Sequence, residues 1–93
     1  MDKEEQSVIQ RQYMDKFLDR LPMLRSAAKI TQIQFAKKLG VSRSTVVVIE
    51  TREREFKWNM YLSMVLVFIQ HEDSRKLLES FELFDSEFLQ NIK

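Results

Sequence analysis

Apolar side chains recur four residues apart at Ile9, Tyr13, Phe17 and Leu21. That spacing puts them on one face of a helix and predicts an element from Lys3 to Leu18. Pro22 falls where the run would continue. A proline is accepted in a first helical turn, and Asp19 is a suitable cap just ahead of it. Two readings are open: a break at Asp19 followed by a second helix from Arg20 to Lys29, or one kinked helix. Leu21, Leu24 and Ala28 form the apolar stripe of that second segment.

Further along, Thr31-x-x-Gln34 has the form of a capping box and opens a predicted helix from Gln32 to Leu39. Ile33, Phe35, Ala36 and Leu39 are expected on its buried side. Gly40, the chain's single glycine, follows the last turn, where it can adopt the left-handed conformation that side-chain-bearing residues resist. Val41 then points inward and Ser42 caps a helix from Arg43 to Glu50. In that helix Val46 and Ile49 take core positions while Val47 and Val48 face outward. After the polar stretch Thr51–Glu55, a strongly apolar helix is predicted over Lys57–Ile69. Trp58, Tyr61, Met64, Val65 and Phe68 form its core stripe, and Met60, Leu62, Leu66, Val67 and Ile69 cover much of the remaining circumference. A helix apolar nearly all round must bury its other face too, either under the C-terminal helices or in a two-fold dimer. His71–Ser74 breaks the pattern and supplies caps for a helix over Arg75–Phe84, carrying Leu77, Leu78, Phe81 and Phe84. Asp85-Ser86 is placed to cap a last turn with Phe88, Leu89 and Ile92.

Composition agrees with an all-α reading. Ninety-three residues suit one domain, and one Gly and one Pro leave little chemistry for hairpins. The absence of Cys excludes a disulfide framework, thiol catalysis and Cys-based zinc sites. The charged start, Met1-Asp2-Lys3-Glu4-Glu5, lacks an apolar signal core, and Trp58–Ile69 is far shorter than the ~20 residues that span a bilayer. A cytoplasmic protein with no membrane partner is the expectation. His71-Glu72-Asp73 does not converge on one atom and there is no second His, so no metal or cofactor is expected. Asp15 and Asp19 lie one turn apart without a nucleophile or base, and no catalytic residue is assigned. Charge is unevenly spread: residues 11–57 carry eleven Lys and Arg against five Asp and Glu, whereas residues 58–93 carry three against six. The middle of the chain is suited to a polyanion.

The segment Leu24-Arg25, Thr31-Gln32, Ala36-x-x-Leu39-Gly40-Val41-Ser42 and Ile49-Glu50 resembles the Cro/C1-type (XRE-like) helix-turn-helix family over roughly residues 21–70. The resemblance implies a small bacterial or phage-type transcriptional regulator with a lambda-repressor-like five-helix domain. Here that domain carries an extra N-terminal helical extension (residues 1–19) before the core (20–70) and a C-terminal helical segment (71–93). A recognition helix entering the major groove needs short polar or forked side chains in its first turns. Arg43 is suited to a bidentate guanine contact, with Ser44 beside it and Val48 able to touch a thymine methyl. Val47 and Val48 are equally suited to packing on a protein partner. Ser42, Thr45 and Arg52 are assigned to phosphates. So is Gln32, whose position in the family commonly bonds a backbone phosphate at a helix N-terminus. Arg25 and Glu50 match a structural ion pair of the family. Thr51-Arg52 stands where members often have Asn-Gly. The implied partners are a palindromic double-stranded operator and a second copy of the chain in a homodimer. The alternative is a protein-interaction module or antitoxin-like protein with a toxin-like partner.

Overall fold

The computed structural model describes residues 3–81, with side chains from residue 8 onward. Five helices follow one another: α1 (Lys3–Ala28), α2 (Gln32–Leu39), α3 (Arg43–Glu50), α4 (Trp58–Ile69) and α5 (Glu72–Ser80). No strand occurs among the described residues. The predicted turn with Phe88, Leu89 and Ile92, its Asp85-Ser86 cap and Phe84 lie outside the described residues.

The break considered at Asp19 does not occur. α1 is a single 26-residue helix with Pro22 inside it, and it runs unbroken through residues 19 and 20. Pro22 has no N–H to return to the carbonyl of Leu18, a defect that costs about 3 kcal/mol in a helix interior. Burial offsets it. Tyr13, Phe17, Leu21, Leu24 and Ala28 are all buried along one face, and each large apolar side chain removed from water contributes roughly 1.5–3 kcal/mol. Asp19, no longer needed as a cap, turns its carboxylate to Arg52.

Aromatic rings tie the layers together. Phe17 of α1 meets Tyr61 of α4 edge-on at 5.2 Å and lies 6.0 Å from Phe68, while Phe35 of α2 stacks on Phe68 at 5.1 Å. α5 closes the other side by packing on α1 and α4. It begins at Glu72, three residues earlier than predicted, so Glu72 and Asp73 put negative charge in its first turn, where the helix dipole favours it. Ser74, expected as a cap, is buried in that first turn and donates to the carbonyls of Phe68 (2.7 Å) and His71 (3.1 Å).

Among the large apolar residues left exposed are two on α2 and α4. Ile33 is 52% exposed instead of buried, because it lies roughly 200° around the helix from Phe35, whose ring takes the inward direction. Leu66 is 57% exposed on α4, although Val67 beside it is buried.

Candidate nucleic-acid interface

The segment from α1 to α4 is shaped by three helix ends of one kind. At the end of α2, Gly40 adopts φ +76°, its N–H donates to the Lys37 carbonyl (3.2 Å), and the Val41 N–H donates to that of Ala36 (3.0 Å). This is the Schellman arrangement, which satisfies carbonyls that the helix leaves without partners. The end of α1 repeats it without a glycine: Lys29 sits at φ +58°, with Lys29 N–H to Ser26 and Ile30 N–H to Arg25. The end of α3 repeats it again. Arg52 sits at φ +64°, with Arg52 N–H to Ile49 and Glu53 N–H to Val48. Thr51-Arg52 thus makes the turn that a glycine would make more easily.

Helix starts are equally local. The Thr31 hydroxyl accepts from the Gln34 N–H (3.1 Å) and the Gln34 side chain accepts from the Thr31 N–H (2.9 Å), closing the predicted capping box. Ser42 caps α3 by accepting from the Thr45 N–H at 3.2 Å. Its hydroxyl also lies 3.1 Å from that of Ser44 and 3.0 Å from that of Thr45. Val46 and Ile49 anchor α3, which packs principally on α2. Arg43 and Ser44 are exposed on its first turn. Val47 and Val48 are half-buried and lie outside the hydrophobic core.

Behind this surface runs a chain of polar contacts. Arg25 grips Glu50 with two bonds, Nε to Oε1 at 3.0 Å and Nη2 to Oε2 at 3.3 Å. Gln32 donates from Nε2 to Glu50 Oε2 at 3.2 Å and accepts at Oε1 from Arg43 Nη2 at 3.4 Å. The paired charges are mostly shielded, with side-chain exposures of 18% for Arg25 and 13% for Glu50.

A family model described as helix-turn-helix matches residues 23–57, spanning the end of α1, all of α2 and α3, and the loop into α4. These residues are a Cro/C1-type helix-turn-helix. No curated protein and no solved structure gives a significant match to the chain. The family is a DNA-binding one, so the helix-turn-helix here is a DNA-binding regulator domain in general terms. No helix among the described residues is long and apolar enough to cross a membrane, and no group of three or more His, Asp or Glu side chains there could hold a metal ion.

Within the helix-turn-helix, Arg43, Ser44, Ser42, Thr45 and Gln32 gather around the facing starts of α2 and α3. Arg52 does not join them. Its guanidinium bonds the Asp19 carboxylate, lies 3.7 Å from that of Asp15 and reaches the Asp15 backbone carbonyl, which fastens the loop after α3 to α1. Two further cations, not assigned to phosphates from the sequence, also lie beside α3. Arg54 and Lys57, with Glu55 and Asn59, line a groove of about 250 Å³ that also takes in Thr45 and Ile49 of α3. The signal was available in the basic residues that flank Phe56, but only the fold brings them beside α3.

Proposed function

We propose that this chain is a sequence-specific double-stranded DNA-binding transcriptional regulator that reads the major groove with residues 42–50. The observation that carries the reading is the exposure of Arg43 and Ser44 on the first turn of a helix held from behind by α2. A helix presented that way admits its N-terminal side chains to base edges. Arg43 bonds guanine O6 and N7, Ser44 assists, and Val48 meets a thymine methyl. Gln32, Ser42 and Thr45 contact phosphates, joined by Arg54 and Lys57 from the groove beside α3. Arg52 adds a phosphate contact only by leaving Asp15 and Asp19.

A homodimer on a palindromic operator suits this geometry, with recognition helices about 34 Å apart, and exposed Leu66 on α4 supports a role for that face in pairing. Such a regulator works in the cytoplasm on the nucleoid and performs no chemistry.

Unbiased selection of bound duplexes tests the reading. An enriched motif is expected, with Arg43→Ala relaxing preference at one base pair and Lys57→Ala weakening all sequences alike. Selection that returns no motif refutes specific reading.

Val47 and Val48 favour a second reading, because both sit half-exposed on α3 without joining the core. In that case α3 docks on a protein, such as a toxin-like partner. Anisotropy on random duplex separates the two: affinity that falls steeply with salt supports phosphate contacts, and no binding at any salt supports the interaction module.

A further inference from the structure

Three functional groups meet in series at the start of α2, and each has a restricted hydrogen-bonding capacity. A carboxylate only accepts, a guanidinium only donates, and a primary amide does both, but at opposite ends. Gln32 lies between the Glu50 carboxylate and the Arg43 guanidinium, so its amide has one permitted orientation. The Nε2 end must face Glu50 (3.2 Å) and the Oε1 end must face Arg43 (3.4 Å), as observed. Glu50 is itself immobilised by the two bonds from Arg25. The direction of the contact therefore passes from a fixed ion pair outward to an exposed arginine.

We propose that Glu50 is a specificity-determining positioning residue: its carboxylate, acting through Gln32, holds Arg43 in the direction from which it reads a base, while touching no DNA itself. This rests on the reading of Arg43 as a base-contacting residue. An exposed arginine is otherwise free to sample many rotamers, and ordering it on binding costs affinity for the correct base. Gln32 occupies one Arg43 donor and leaves the rest of the fork for O6 and N7. The amide also has a second N–H beyond the one given to Glu50, and in this reading that N–H serves a phosphate, so backbone contact and base contact share one side chain. Replacing the carboxylate with an amide removes the constraint. Gln32 could then turn over and present N–H groups to a guanidinium that can only donate.

The test uses the full chain and a selected duplex, together with the same duplex altered at the one base pair where Arg43→Ala abolishes preference. The readout is the ratio of the two affinities. For the unaltered protein a ratio of about 5 to 150 is expected, and for Arg43→Ala a ratio near unity. Glu50→Gln and Gln32→Met should each lower the ratio by about two- to tenfold, and adding either change to Arg43→Ala should lower it no further. Gln32→Met leaves the Arg25–Glu50 pair intact, so it carries the test if Glu50→Gln does not fold. Equal weakening on both duplexes, with the ratio unchanged in Glu50→Gln or, failing its folding, in Gln32→Met, would overturn this inference and leave DNA reading standing. Absence of any selected motif for the unaltered protein overturns both.

Discussion

Three helices of this domain end in the same left-handed turn, yet only one of the three turning residues is a glycine, and opposite substitutions at two of them should move stability in opposite directions. Lys29 at φ +58° carries a side chain into a region that costs an L-residue roughly 1–2 kcal/mol. Lys29→Gly removes that cost. Against it stand the greater unfolded-state freedom of glycine, about 0.5–1 kcal/mol, and a few tenths for a positive charge near a helix C-terminus. Lys29 is exposed, so little packing is lost. The net expectation is a gain of about 0.5 kcal/mol, which raises Tm by about 2–4 °C for a domain of this size. Gly40→Ala is the reciprocal change. A Cβ at Gly40 would meet nothing within 4 Å, so backbone strain at φ +76°, about 1–2 kcal/mol, is offset only by alanine's smaller unfolded-state freedom, about 0.5–1 kcal/mol, for a net loss of about 0.5–1 kcal/mol or about 2–8 °C. Gly40→Asn should lose less, since Asn tolerates this conformation. Thermal and urea melts followed by circular dichroism read all three. A Tm for Lys29→Gly clearly below that of the parent would refute the reasoning, and so would a Gly40→Ala variant as stable as the parent.

Other changes probe the interface. Glu50→Ala strands the Arg25 guanidinium and should cost about 3 kcal/mol, toward the low end for a buried pair because both partners keep some solvent contact; chemical denaturation reads it. Ser42→Ala removes the hydroxyl that caps α3 and should cost about 1 kcal/mol by the same measurement. Arg54→Ala should reduce the slope of log affinity against log salt by about 1 on any duplex, whereas Asp19→Asn should leave that slope unchanged or steepen it by releasing Arg52.

The bounds of α2 and α3 were legible because their signals are local. A capping box, a glycine and a serine cap each act within four residues, and the structure reproduces Gln32–Leu39 and Arg43–Glu50 as predicted. What the pattern misread depends on distant partners. Pro22 looked like a boundary, but the packing of Phe17 against Tyr61 and Phe68 of α4 and the burial of Leu21 carry the helix across it. Ile33 looked buried because a two-turn helix has too few residues to show which face the core will take. Arg52 looked like a free cation, yet its partners lie 33 and 37 positions earlier. Its left-handed backbone was invisible as well, since no Gly or Asn marks the turn. The contact of Gln32 with both Glu50 and Arg43 spans 18 and 11 positions, and only the folded arrangement of α2 against α3 creates it.

The unbroken course of α1 bears on how far the molecule can be trimmed. Excising everything ahead of residue 20 would not liberate a tidy miniature of the motif. It would take Tyr13 and Phe17 with it, strip an aromatic partner from Tyr61 and Phe68, and release Arg52 from its tether on Asp19. The smallest piece able to stand alone must therefore reach well upstream of the 35 residues that announce its ancestry.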